Sequence, residues 1–392
     1  MTTFEYPQKA RISYGSDALS TLADTCDLLD AKRVLLLTTR SLVDSAVLQG
    51  VRQSLGDRRV AEIAEVSQHV PEGSISGLLQ RVREVAPDLI VTLGGGSVTD
   101  TAKALSVGFA EGYTTAEQIY RHRIRFTYPD RIEVEPFTAP PLPIVTIPTT
   151  LSAAEYDGIF GMTSAEGVKE LYSHEAAMPK AVILDPAATV ETSARLWLGT
   201  GIRTLDHAIE TYLSRFPTPF TDALALQSIE LIAQNLPISR RNPADMDARL
   251  NCLVAGWLSM FGVANVTLGL SHGIGHQIGA YSGVPHGETS CVMLPVVAGR
   301  IHEKLPDRAA RVVAALGADV SGKTTEEVAA SLPTVIRDFI TDLGLPTRLA
   351  DVGVQEQDLP VIARAAMADM VVAFSPVTVT EDEVLQLLRR AW

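Results

Sequence analysis

Cysteine is scarce. Cys26, Cys252 and Cys291 are the only three in 392 residues, and their wide spacing excludes both a disulfide framework and a CxxC zinc site. Positive charge is outnumbered, 33 lysines and arginines against 46 aspartates and glutamates, leaving a formal net charge of −13. A field of that sign argues against nucleic acid as a partner. No apolar run reaches the ~18 residues of a membrane span. The opening Met-Thr-Thr-Phe-Glu-Tyr-Pro lacks the charged-then-apolar pattern of an export signal, so the expected location is the cytoplasm. Low-complexity runs are missing too. What remains, 46% hydrophobic and 20% charged, is ordinary for a globular enzyme acting on a small molecule. The length suggests two domains, because single cores rarely grow past ~250–300 residues.

The chain is organised around the stretch from Leu268 to Glu288, which holds His272, His276 and His286 among six glycines. His272 and His276 are four apart and share one face of a helix. Gly273, Gly275 and Gly279 would each cost an isolated helix roughly 1 kcal/mol relative to alanine. A helix keeps such residues where another helix or a ligand approaches its backbone. Pro285 then ends the pattern, and His286 follows a short turn. The clustering points to imidazoles that bind metal or move protons rather than three unrelated histidines. Upstream, Arg203, His207 and Glu210 lie at i, i+4 and i+7 of a helix, one inward stripe.

The first half alternates strand and helix. Arg33–Thr39, Asp88–Leu93, Pro143–Ile147 and Ala181–Asp185 are apolar runs of the kind buried on both faces of a parallel sheet. Ser41–Leu55 and Val98–Phe109 carry helical spacing between them. This alternation predicts a doubly wound α/β domain with a mostly parallel sheet over residues 1–187. From about residue 188 the periodicity is helical, through Phe220–Leu236, Ala248–Leu268, Asp307–Leu316, Thr325–Leu343 and Val361–Phe374. Thr380 and Glu383 form a capping box before the last helix. Residues 188–392 are therefore expected to be an all-helical domain, its histidines facing a cleft that opens and closes.

The strand Asp88–Leu93 runs into Gly94, Gly95, Gly96 and Ser97 ahead of a helix. Glycines there let a pyrophosphate approach backbone N–H groups that the helix dipole reinforces, and Ser97 can donate a hydroxyl. The pattern is not GxGxxG, so the usual dinucleotide fingerprint does not apply. GGGSxxDxAK, from Gly94 through Asp100 to Lys103, resembles the dehydroquinate synthase-like superfamily. Within it, His-Ala-Ile-Glu at His207, HxxxHxxG at His272 and Pro-His-Gly at Pro285 resemble the iron-containing (group III) alcohol dehydrogenases. The resemblance covers most of the chain and implies that superfamily's fold, a nicotinamide cofactor and a homodimer. It places Thr149 and Thr150 of the Pro-Thr-Thr segment at the cofactor. It also puts an acid at Glu155, and Lys169, on the return arm of a hairpin around Ala165–Gly167, near the nicotinamide.

That family holds its metal with an aspartate and three histidines, which correspond here to Arg203, His207, His272 and His286. A guanidinium cannot ligate a cation and would repel one. The nearest branch resembles the maleylacetate reductases, on Thr149–Glu155 without GTGSE, on Pro285-His-Gly-Glu-Thr289, and on the endings Pro376-Val-Thr and Ala391-Trp392. In that branch the ligating aspartate is already replaced, usually by asparagine, and no metal is used. The expected function is thus NADPH- or NADH-dependent reduction of a ketone or aldehyde, with a carboxylated, maleylacetate-like oxo acid as substrate. Arg203 would hold charge, and His207, His272, His276 and His286 would support binding and proton supply. Thr39 and Arg40 after the first strand leave room for a 2′-phosphate, so NADPH should be accepted. Two other classes compete. One is a metal-dependent alcohol dehydrogenase recruiting Asp206 or Glu210, and the other a lyase that uses NAD only catalytically. Finally, Glu111–Pro140 is longer than its counterpart in the branch and carries Tyr120-Arg-His-Arg-Ile-Arg125. A solvated loop is the default for it; a lid, an oligomer contact or a basic strip are the other readings.

Overall fold

The computed structural model describes Phe4 and residues 10–127, 130–165 and 167–392. The amino-terminal heptapeptide apart from Phe4, two residues of the Glu111–Pro140 segment and the middle residue of the expected hairpin tip lie outside the described residues. Two compact units result. One comprises residues 10–125 and 133–192, and the other residues 193–392 with Phe4, 126–127 and 130–132.

The strands of the chain are β1 (Arg11–Tyr14), β2 (Val34–Leu37), β3 (Arg59–Ile63), β4 (Leu89–Gly94), β5 (Arg125–Thr127) and β6 (Arg131–Glu133). They continue with β7 (Ile144–Pro148), β8 (Ile159–Thr163), β9 (Lys169–Ser173) and β10 (Ala181–Leu184). Six of them form one sheet in the order β1-β10-β7-β4-β2-β3, and every pairing in it is parallel. Helices α1 (Leu22–Leu28), α2 (Ala46–Leu55), α3 (Glu72–Val85) and α4 (Gly96–Ala110) cover it. Alternate residues of β2 show why its run is apolar throughout. Val34 and Leu36 pack with Leu22, Leu48 and Val51 of α1 and α2. Leu35 and Leu37 face the opposite way, into Ile75, Leu79 and Ala102 of α3 and α4. The expected doubly wound arrangement is therefore present.

Strand β3 escapes a reading by apolar runs. It sits at the sheet edge and is only partly buried, with Glu62 bridged by Arg52 at 2.6 and 2.9 Å. An edge strand needs no continuous apolar face. The chain reverses its direction across the sheet between β2 and β4, so their carboxyl ends flank the switch point where doubly wound sheets bind ligands.

Glu111–Pro140 is not a loop. It contains α5 (Ala116–Tyr120), opened by a Thr115–Gln118 capping box, and the β5–β6 pair. Buried His122 pins its base, between Tyr113 Oη at 2.7 Å and the Glu135 carbonyl at 2.8 Å, and stacks on Phe137 at 4.1 Å. Of the basic run, Arg121 pairs with Glu135 and Arg123 with Glu170.

The second unit is built on α6 (Ala194–Tyr212), in which every residue from Trp197 to Tyr212 is buried. A helix buried all round is a core helix. Around it run α7 (Pro219–Arg241), α8 (Met246–Met260), α9 (Val263–Val266), α10 (Leu270–Ser282) and α11 (His286–Ile301). The rest is α12 (Pro306–Ala315), α13 (Thr325–Asp342), α14 (Leu359–Ala366), α15 (Met370–Ala373) and α16 (Glu381–Ala391), capped as expected by Thr380 and Glu383. Two expected helices are broken. Ala248–Leu268 stops at Met260 and restarts after Gly262, and Val361–Phe374 splits where Asp369 caps a new turn. Apolar content alone does not register such interruptions. No helix among the described residues is long and apolar enough to cross a membrane.

Candidate active site

In the first unit β4 delivers Gly94 and Gly95 to the start of α4, the 15-residue helix that opens at Gly96. The opening amides of such a helix lack intrahelical acceptors and favour an anion. Gly95 lets Thr150 approach closely, since a Cβ there would lie 3.0 Å from both Cγ2 and Oγ1 of Thr150. Thr150 Oγ1 is buried without a hydrogen-bond partner, and Thr149 N–H donates to the Gly94 carbonyl at 3.0 Å. The Pro-Thr-Thr segment thus closes on the glycine turn and offers it an unspent hydroxyl. These residues fit a bound nicotinamide dinucleotide.

Neighbouring groups refine the picture. Asp100 Oδ2 accepts the Gly161 N–H at 3.2 Å, and burial raises its pKa against the pull of Lys103 and Lys169. The Lys169 stem lies so close over Gly161 that a Cβ would meet its Cε at 2.1 Å. Lys103, the motif lysine, is fully buried and donates to the Ala154 and Ile159 carbonyls at 2.6 and 2.7 Å, which makes it a structural clamp. Glu155 is buried, which pushes its carboxyl up to about 7. At the end of β2, Thr39 Oγ1 lies 2.9 Å from Ser41 Oγ and Arg40 is exposed.

His69 was invisible in the sequence. His69 and Val70 both have left-handed backbone, φ +62° and +51°, a strained state for a β-branched residue. The His69 N–H donates to Ser97 Oγ at 3.2 Å, and Thr163 Oγ1 donates to the His69 carbonyl at 2.8 Å. A histidine before Val-Pro between strand and helix is the only signal available for it.

In the second unit α6, α10 and α11 bring four imidazoles into one chain. The His207 and His272 rings stack at 4.7 Å. His272 meets His276 edge-on at 6.5 Å, and His276 meets His286 at 5.9 Å. His272 Nδ1 lies 2.7 Å from Glu210 Oε2, and Glu210 also accepts the N–H groups of Gly269 and Ser271 at 2.8 and 2.7 Å. Burial first, then Asp206, raises the Glu210 carboxyl above the usual carboxylate range, and burial, opposed by Arg203, raises that of Asp206. Burial also holds His207 and His272 well below the usual imidazole range, with Arg203 adding to it. Asp369, which the sequence did not single out, lies with Oδ2 2.9 Å from His276 Nδ1.

Arg203 is buried, and its Nη1 donates to Ser290 Oγ at 3.2 Å. Burial lowers its pKa, while Asp206, Glu210 and Asp369 raise it. Its side chain stands one turn before His207, where the family's ligating aspartate belongs. His207 Nδ1 and His272 Nε2 are buried without hydrogen-bond partners. Nevertheless, the one converging trio of ligand atoms among the described residues is Asp206, Glu210 and His272, within 4.8 Å of one another. The Glu210 oxygens in it already accept backbone amides. The residues present do not fit the family's four-ligand metal site.

Two family models match the chain. One for iron-containing alcohol dehydrogenase covers residues 9–186, and one for the C-terminal part of the Fe-containing alcohol dehydrogenase family covers residues 198–392. Dehydrogenase FUM7 of Gibberella moniliformis is 32% identical over 98% of this chain and 96% of its own. A crystal structure of 1,3-propanediol oxidoreductase superposes with a TM-score of 0.91 at 29% identity over the whole of both chains. Maleylacetate reductase from Rhizobium sp. strain MTP-10005 superposes with a TM-score of 0.79 at 26% identity, over 100% of this chain and 99% of that one. The resemblances in the motifs thus extend over the full chain, and it belongs to the iron-containing alcohol dehydrogenase family of nicotinamide-dependent oxidoreductases.

Proposed function

We propose that this enzyme reduces the carbonyl of a carboxylated ketone or aldehyde, a maleylacetate-like oxo acid, with NADPH or NADH and without a catalytic metal. The observation that carries the reading is Arg203, a buried guanidinium in the aspartate position, one turn from His207. When bound, the reduced nicotinamide supplies the hydride. Gly94, Gly95, Gly96 and Ser97 hold its pyrophosphate, with Thr39, Asp100, Thr149, Thr150 and Lys169 around the remainder. Arg203 grips the substrate carboxylate or balances the charge that develops on the carbonyl oxygen. His207, His272, His276 and His286 line that centre, and one of them returns a proton to the oxygen.

A second reading keeps weight. The family's name rests on iron, and the unpartnered nitrogens of His207 and His272 suit a cation if Arg203 swings aside and Asp206 or Glu210 joins them. Kinetics on carboxylated ketones, simple aldehydes and plain alcohols separate the two. Carboxylated ketones should be turned over with a kcat/KM at least ~10-fold above simple aldehydes, since a charged hydrogen bond is worth ~1.5–3 kcal/mol. Equal turnover of plain alcohols and aldehydes would favour the metal enzyme. No net change in nicotinamide absorbance with any carbonyl compound would reject both.

A further inference from the structure

Helix α10 presents His276 one turn after His272, and the ring keeps 13% of its side chain exposed. Its surroundings come from the broken helix α14–α15. Asp369 caps α15 with Oδ1, which accepts the Val371 N–H at 2.9 Å. That leaves Oδ2 for His276 Nδ1 at 2.9 Å and Gln277 Nε2 at 3.2 Å. One oxygen therefore fixes the backbone and the other fixes a ring. The approach depends on Gly273, where a Cβ would lie 2.9 Å from the Val372 nitrogen. The glycine presses α15 onto α10 and carries the carboxylate to the imidazole. Asp369 itself is buried and lies within the field of Arg203.

The geometry points to Asp369 as a positioning residue that holds His276 with Nδ1 protonated and Nε2 turned to the reacting oxygen. This rests on the carbonyl-reductase reading. Hydride adds to the carbonyl carbon, the C–O π pair moves to oxygen, and that oxygen takes the proton from Nε2 of the imidazolium. His276 then recovers a proton from water. A carboxylate on the far nitrogen keeps the proton on Nδ1 and fixes the ring's orientation. His276 is the catalytic residue in this step; Asp369 acts only through it.

The Asp369→Asn substitution separates this role from a structural one. The amide oxygen can still cap α15, but the amide nitrogen now faces Nδ1, which must accept, so the ring proton moves to Nε2. In the Ser-His-Asp enzymes the same replacement costs about 10⁴ in kcat with the geometry intact. Here the carbonyl-reduction kcat should fall 100- to 10,000-fold. The KM for NAD(P)H should stay within about twofold and the Tm within a few degrees. Asp369→Ser, which also caps well, should lose comparable kcat. In a His276→Asn background either change should cost less than about threefold more, because the pair acts as one unit. Ring ¹⁵N spectra of histidine-labelled protein should show Nδ1 of His276 protonated in the wild type and unprotonated, with the ring proton on Nε2, in Asp369→Asn. This readout needs no turnover, so an enzyme inactive on every carbonyl compound would sink the reductase reading and still decide the pairing. Wild-type kcat in both Asp369 variants, full multiplication of losses with His276→Asn, or an unchanged ¹⁵N pattern would overturn the proposal.

Discussion

Glu210 Oε2 lies 2.7 Å from His272 Nδ1, with both side chains buried, so the imidazole and the carboxyl group share a proton and the ring's Nε2 points away from it. His276 repeats the arrangement with Asp369. Two carboxyl groups thus orient two rings of the histidine chain from behind. Arg203 is buried in the field of Asp206, Glu210 and Asp369, the first two on its own helix.

Arg203→Ala removes that charge and leaves its donor position empty. Loss of one well-placed donor to a developing oxyanion costs about 100- to 1000-fold in kcat, and kcat/KM for the carboxylated substrate should fall at least that far. Added zinc or iron should not restore it. Steady-state kinetics with and without metal check this, and full rescue by an ion would count against the arginine's role.

Glu155 gives a pH signature in the first unit. Burial raises its carboxyl from 4.5 to about 7. A group raised in the folded state contributes stability that is present below its unfolded value and lost as pH rises through its folded value. Wild-type stability should therefore lose ~3 kcal/mol from this group between pH 4.5 and 8. Glu155→Gln lacks that loss, so its stability relative to wild type should climb across the window. Denaturant unfolding at several pH values measures it, and parallel profiles would reject it.

How much of this was legible in sequence depends on the interaction involved. The continuous apolar runs at Val34–Leu37 and Leu89–Gly94 announced a sheet buried on both faces, and the GGGS turn followed from the second of them. The i, i+4, i+7 stripe of Arg203, His207 and Glu210 was readable because one helix carries all three. His69 and Asp369 were not. Their placement comes from a left-handed backbone and a helix break, with hydrogen-bond partners 28 and 93 positions away in sequence. Local periodicity has no term for either. The Glu111–Pro140 segment was misread as loop for the same reason, since buried His122 finds its partners only in the folded unit.

Lys169→Met keeps a stem over Gly161 and removes the charge. An ionic hydrogen bond is worth ~1.5–3 kcal/mol, so NAD(P)H affinity should drop about 10- to 100-fold with the Tm little changed. Fluorescence titration of the cofactor reports it. Unchanged affinity would make Lys169 a hairpin residue only.

Arg40→Ala should raise the KM for NADPH about 10-fold and leave that for NADH within threefold, if the exposed guanidinium after β2 pairs with a 2′-phosphate. A wild-type enzyme preferring NADH by orders of magnitude would refute NADPH use outright.

Metal content tests the central claim most directly. A cation within ~4 Å of a guanidinium meets repulsion of several kcal/mol at an effective dielectric of ~20, and arginine cannot escape by losing its proton. Elemental analysis of the wild-type enzyme should be set beside NAD(P)H-dependent reduction after exhaustive chelation. The metal-free reading expects far less than one zinc or iron per chain and full activity after chelation, whereas Arg203→Asp should acquire a site with His207, His272 and His286. Stoichiometric metal in the wild type, with activity lost on chelation and restored by the ion, would contradict it.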